Sequence, residues 1–220
     1  MYYLGLDLGQ AADSTALATL EEPTWIPGRG WVGATELTTI DRQNLDIPQL
    51  RSHWDEQAPK LVPLWLRQLK RYPLQTPYPA IVDDVIRMLG GKDARRPEVI
   101  LIVDGTGVGA AVVDMFRYGE LPCEMYNVII TGGAKAERNH IPKRDLIGAL
   151  QVSLQRSQLV ISQHTDETKT LINELREYKV KISDTGHDSY NAREGKHDDL
   201  VLAAALATWY ARMVMHRGEL

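Results

Sequence analysis

The sequence predicts an α/β layered domain. Two apolar runs of five residues each stop at an aspartate: Tyr2-Tyr3-Leu4-Gly5-Leu6 at Asp7, and Val99-Ile100-Leu101-Ile102-Val103 at Asp104. Runs of this length and composition read as buried strands. A third apolar stretch, Leu200 to Ala207, opens at Asp198 and Asp199. It is too long and too Ala-rich for a strand, so it reads as a helix with both aspartates in its first turn. Between these landmarks strand-like and helix-period segments alternate, the pattern of a sheet covered by helices.

Taken in order, residues 2–8 form the first strand, Gly9 to Ser14 a turn and Thr15 to Leu20 a second strand. Glu21 to Gly30 holds Pro23, Pro27 and Gly28 and reads as a loop, and Trp31 to Ile40 as a third strand. Short connections make these three an antiparallel meander. Over residues 47–70 the period changes. Leu50, Trp54, Ala58, Leu61, Leu64, Trp65, Leu66 and Leu69 fit a helical stripe broken near Pro59 and Pro63. Tyr72 to Pro79 is a proline-rich connection, and Ile81 to Leu89 a helix closed by Gly90-Gly91. Residues 98–103 are the fourth strand, followed by a glycine-rich bend (Gly105, Gly107, Gly109) into a helix from Ala110 to Arg117. Tyr126 to Ile130 is a fifth strand. A helix with Pro142 near its first turn carries Leu146, Ile147, Leu150 and Leu154 on one stripe. Leu159 to Ile161 is extended, Thr168 to Tyr178 helical, Tyr178 to Ile182 extended, and Thr185 to Lys196 a polar loop. The last helix runs from Asp198 to Met215. No interdomain linker or repeat appears, and one domain over residues 1–220 is expected.

Composition narrows the class. Of 220 residues, 44% are hydrophobic and 25% charged, the balance of a globular protein. No apolar run reaches the length of a membrane span, and no basic leader or signal core precedes the first strand. Cys123 is the only cysteine, which excludes an intrachain disulfide and a Cys-based zinc site. A cytoplasmic setting is expected. A net charge of −4 argues against a protein that coats nucleic acid, though local basic patches can still hold a phosphate backbone.

Carboxylates at two strand ends and one helix start can converge on a point. Converging carboxylates repel unless a cation lies between them, and hard oxygen donors suit Mg²⁺ or Mn²⁺. Each acid also has a structural reading: a helix N-cap at Asp198, a strand-end turn at Asp104. His197 could assist proton transfer or touch a phosphate, or be a loop histidine before a cap. Asp13 could supply a fourth carboxylate or an Asx-turn. Lys135, Arg138, Lys143 and Arg144 lie within ten residues, and Arg193 and Lys196 just precede the aspartate pair. Both groups could hold phosphates without reading sequence, or be a solvated surface. Trp54 and Trp65 read as core.

Three segments together carry a resemblance: LGLDLGQAADSTALATLE around Asp7, ILIVDGTGVGAAVVDMF around Asp104, and NAREGKHDDLVLAAALATWY at the end. In this order they resemble the nuclease domain of the tailed-phage terminase large subunit, a branch of the ribonuclease H-like superfamily, over roughly residues 2–212. The resemblance implies a central mixed sheet, its first three strands antiparallel, flanked by helices. It implies endonucleolytic cleavage of double-stranded DNA by two Mg²⁺ or Mn²⁺ ions during genome packaging. It implies an acidic triad at Asp7, Asp104 and the Asp198-Asp199 pair, with Asp7 bridging both ions, Asp199 the preferred metal-facing member and Asp198 able to bind metal or position water. A packaging ATPase, a terminase small subunit and a portal are the partners it implies. The chain departs from full-length large subunits in having no GxxxxGK[ST] loop, so no ATPase domain is expected. Three other readings stay open: a Holliday-junction resolvase, an actin- or sugar-kinase-like ATP-binding domain built on Gly5-Leu6-Asp7-Leu8-Gly9, and a non-catalytic domain that docks to a packaging motor.

Overall fold

β1 (Tyr2–Asp7) lies at the exact middle of a seven-stranded sheet in the computed structural model, which describes residues 1–9, 13–26, 30–33, 62–91, 98–133, 135–161, 166–182, 188–191 and 198–217. On one side β1 pairs antiparallel with β2 (Ala16–Glu21), which pairs antiparallel with β5 (Leu64–Arg71); β5 then pairs parallel with β9 (Leu159–Ile161). On the other side β1 pairs parallel with β6 (Val99–Asp104), β6 with β7 (Glu124–Thr131), and β7 with β8 (His140–Pro142). β3 (Thr24–Ile26) and β4 (Gly30–Val32) form a separate hairpin held by an edge-on Trp25–Trp31 pair, and β10 (Lys179–Ile182) pairs with β11 (Asp188–Asn191).

Helices cover both faces. α1 (Tyr78–Met88) and α2 (Gly109–Tyr118) bury Ile81, Val85, Val112 and Phe116 against Leu4, Leu6, Leu101 and Val103. α3 (Lys143–Gln155), α4 (Thr168–Glu177) and α5 (Asp199–Arg217) bury Leu146, Leu150, Leu171 and nearly the whole first half of α5 against Tyr3, Ala18, Leu20 and Ile102. α5 is apolar on all sides over residues 200–207 because it lies under two other helices and over the sheet centre. Its far end is tied down by Arg212, whose guanidinium donates to the carbonyls of Val62 (2.9 Å) and Gln158 (3.1 Å).

Three expectations change. The third strand of the central sheet is β5, not the segment starting at Trp31; residues 31–32 belong to the β3–β4 hairpin, and 34–40 lie outside the described residues. Residues 64–70 are extended rather than helical. The cause is a bulge: Leu20 pairs with Leu66 but Thr19 with Gln68, so Arg67 is the extra residue of the bulged strand. The extra residue shifts the buried set from Leu64 and Leu66 to Leu69, and a spacing of two followed by three imitates a helical stripe. Arg67 turns to Glu21, donating from Nε at 2.6 Å, and covers the Trp65 ring. The helical expectation over 47–61, with Trp54, lies outside the described residues. Finally, part of the predicted polar loop at 185–196 is β11, and part of the predicted loop at 21–30 is β3.

A polar tie joins β5 to α1. Lys70 Nζ, Tyr72 Oη (2.8 Å) and Arg87 Nη2 (2.6 Å) all donate to the Asp84 carboxylate. Burial works against that charge, but the three donors outweigh it and hold the carboxyl down at about 2. A depressed folded value stabilises the fold above the ordinary aspartate value and loses that contribution as pH falls towards 2. Asp84→Asn should therefore cost about 1–2 kcal/mol at pH 7 in urea unfolding, with the difference from wild type narrowing below pH 4. A gap independent of pH would overturn this account of Asp84.

Candidate functional site

The acids meet because of strand parity and one close contact. Along β1, residues 3, 5 and 7 share a face: Tyr3 packs in the α5-side core, and Gly5 lies directly under α5. A Cβ at Gly5 would sit 2.0 Å from the Ala203 carbonyl oxygen and 2.9 Å from the Ala207 nitrogen. Tyr3 meets Tyr210 on the same helix, with ring centroids 6.3 Å apart. α5 thus runs antiparallel to β1 and brings its N-terminus to the Asp7 end. On β6, Ile100 and Ile102 face the same core, so Asp104 faces it too. Leu6 is in register with Val103, and the two parallel strands end side by side at Asp7 and Asp104.

Asp7 is 7% exposed. Burial first, then the Asp104, Asp199 and Asp198 carboxylates, hold its carboxyl well above the usual range, and Lys143 offsets part of this. Asp104 is also raised by burial, against the pull of Thr106 and Lys143. One of its oxygens, Oδ1, accepts the Thr106 N–H at 2.8 Å, so the strand-end turn exists alongside the convergence. Thr106 Oγ1 accepts the Ile130 N–H at 2.8 Å and ties that turn to β7. A Cβ at Gly105 would lie 1.9 Å from Asn127 Oδ1, so a side chain there would force the Asn127 amide to move.

Asp198 and Asp199 separate in role. Asp198 is the N-cap residue of α5 by its backbone, its carbonyl accepting the Leu202 N–H at 2.9 Å. Its side chain turns to Lys143, whose Nζ donates to Oδ2 at 2.9 Å. Asp199 is 3% exposed, with Arg71 Nη2 at 3.7 Å from its Oδ2. Arg71 also donates through Nη2 to Glu174 Oε1. Glu174 Oε2 accepts the Leu200 and Val201 N–H groups at 3.1 and 3.2 Å.

Of the basic candidates, Lys143 lies inside the acidic cluster. Lys135 and Arg138 are exposed in the connection from β7 to β8, which leaves the sheet at the same end as Asp7 and Asp104. Arg144, on the first turn of α3, is 3.5 Å from Asp145 Oδ1. His197, Arg193 and Lys196 lie outside the described residues. Asp13 is exposed. Sequence reasoning missed Arg71, Glu174, Thr106 and Asn127. Only Glu174 carried a signal: it occupies a buried position three residues after Leu171 on α4, where an apolar side chain is the norm.

Among the described residues four carboxylates share one neighbourhood, with Lys143 bonded to Asp198 and Arg71 beside Asp199. A hard, all-oxygen, negatively charged donor set of this kind fits a divalent cation. Among the described residues no group of three or more His, Cys, Asp or Glu side chains is arranged closely enough to hold a metal ion as it stands. Binding one therefore requires these side chains to draw in, against a repulsion that the cation itself removes.

A central mixed sheet with acids at the ends of its middle strands and helices on both faces is the ribonuclease H-like class of fold. Within that class the chain has the fold of phage large-terminase nuclease domains. It is similar to the large terminase nuclease of thermophilic phage G20c at 18% identity, covering 94% of this chain and 80% of that one, with a TM-score of 0.56. The nuclease domain of the Thermus phage P74-26 large terminase follows at 15% identity, 94% and 77% coverage and a TM-score of 0.52. The P22 large terminase nuclease domain matches at 10% identity, 96% and 82% coverage and a TM-score of 0.52. No protein-family model matches the chain, and no curated protein matches it. Among the described residues no helix is long and apolar enough to cross a membrane.

Proposed function

We propose that this protein is a divalent-metal-dependent endonuclease that cuts double-stranded DNA by two-metal phosphodiester hydrolysis, as in phage genome packaging. The observation that carries the reading is that Asp7 and Asp104 end the two middle strands side by side, with Asp198 and Asp199 at the start of α5 next to them. Support comes from the fold's likeness to terminase nucleases, of which the G20c protein has been crystallised with bound magnesium and with bound cobalt.

Asp7, Asp104 and Asp199 would hold Mg²⁺ or Mn²⁺, with Asp198 beside them. Bound divalent cations supply Lewis acidity towards the scissile phosphate and the attacking water. The chain contributes the rest. Burial of Asp7 keeps bulk water from screening the cluster. Lys143 carries positive charge into the cluster. The Thr106 N–H, bonded to Asp104 Oδ1, restrains the rotation of the whole Asp104 carboxylate. Lys135, Arg138 and Arg144 flank the same end of the sheet and suit a phosphate backbone without base readout. A packaging motor with its ATPase, small subunit and portal is the partner set of this reading.

The test is cleavage of supercoiled plasmid with Mn²⁺, Mg²⁺ or EDTA, wild type beside Asp104→Ala. Nicking and linearisation that need metal and fall by about a hundredfold or more in the folded variant are expected. Equal cleavage by a folded Asp104→Ala protein would overturn the assignment.

A further inference from the structure

Helix α5 has an unusual arrangement at its start. An N-cap aspartate normally spends its side chain on the orphan N–H groups of the first turn. Here the Asp198 side chain is bonded to Lys143, and the first-turn N–H groups of Leu200 and Val201 are taken by Glu174 from a different helix. The other Glu174 oxygen accepts from Arg71, the cation that also stands 3.7 Å from Asp199. Glu174 is buried, and burying a carboxylate is costly unless it is fully paired. Its two oxygens meet this requirement with three donors.

We infer that Glu174 is a positioning residue of the carboxylate site. It replaces Asp198 as the side-chain cap of α5, which lets Asp198 turn to the cluster, and it takes the hydrogen bond of Arg71, which would otherwise be drawn wholly to Asp199. The inference rests on the metal-dependent reading for its consequence, not for its geometry. Without Glu174, two adjustments follow. Asp198 turns back to cap its own helix, and Arg71 closes on Asp199 and competes with a cation for it. A glutamine at this position keeps the shape but has one acceptor oxygen, so it can serve α5 or Arg71 but not both.

The experiment compares wild type, Glu174→Gln and Arg71→Gln as intact chains. Amide exchange at Leu200 and Val201 is measured without metal, and Mn²⁺ affinity by the electron paramagnetic resonance of the free ion. In Glu174→Gln we expect exchange at these two amides to rise about tenfold, with β1 and β6 amides unchanged, and Mn²⁺ to bind about tenfold more weakly. Arg71→Gln should keep slow exchange at these amides and should not weaken Mn²⁺ binding, since it removes the competitor. Unchanged exchange in Glu174→Gln would overturn the capping role, and faster exchange with unchanged Mn²⁺ affinity the positioning role. If wild type binds no Mn²⁺, the nuclease reading fails, and with it the positioning role. The exchange data then still decide the cap on their own.

Discussion

Asp7→Asn should abolish metal-dependent DNA cleavage and at the same time make the metal-free protein more stable. The two effects share one cause. Asp7 is buried among three other carboxylates, and burial followed by their charge holds its carboxyl well above the ordinary range. For a carboxyl raised in the fold, no cost exists at low pH, where folded and unfolded chains are both protonated. The cost accumulates as pH rises above the ordinary value near 3.9, because the unfolded chain then releases a proton that the folded chain keeps or gives up only under repulsion. At pH 7 in EDTA the variant should be more stable than wild type and melt at a higher temperature. The gain should fade towards pH 4. Cleavage should fall by about three orders of magnitude or more. Added Mn²⁺ should stabilise wild type, by about 2.7 kcal/mol at a hundred times its dissociation constant, and the variant much less. Calorimetry in EDTA and in Mn²⁺ at pH 4 and pH 7 reads all of this. A variant less stable than wild type at pH 7 would show that Asp7 is a structural acid.

Gly5→Ala should be the most damaging single methyl in the sheet. The new Cβ would fall 2.0 Å from a backbone oxygen of α5 and 2.9 Å from a backbone nitrogen. Backbone atoms cannot rotate away as a side chain tip can, so strand and helix must separate along their shared length. Overpacking a core costs typically 1–3 kcal/mol, and contact with backbone on this scale belongs at or above about 3 kcal/mol. The melting temperature should drop by roughly 6–12 °C. Because the N-terminus of α5 carries Asp198 and Asp199, cleavage should fall even where the variant remains folded. Gly148→Ala is the control: it lies in α3 with nothing within 4 Å of an added Cβ. There the change should be neutral or stabilising by up to about 1 kcal/mol, as expected for a helical glycine. A Gly5→Ala protein as stable as wild type would refute the close approach of α5 to β1.

The sheet's centre was legible for a physical reason. β1 and β6 are buried on both faces, so their sequences are near-continuous apolar runs, and each ends where Asp7 or Asp104 meets the open end of the sheet. α5 was legible because a helix enclosed by neighbours is apolar all round and Ala-rich where it must lie close. β5 was not, because the bulge at Arg67 gave its apolar residues a helical spacing. The short strands β3, β8 and β11 carry too few residues to show a period.

By itself the sequence determined an α/β chain with three acidic positions at the ends of its most apolar segments, since local burial is written directly in residue type. The tertiary structure alone decided that β5 is the strand that follows β2 in the sheet, and that Lys143 faces the acids. It also decided that Glu174 and Arg71, 103 residues apart, secure the helix bearing Asp199. Such contacts depend on which distant side chains the fold brings within hydrogen-bonding reach, and no local pattern of residues encodes that distance.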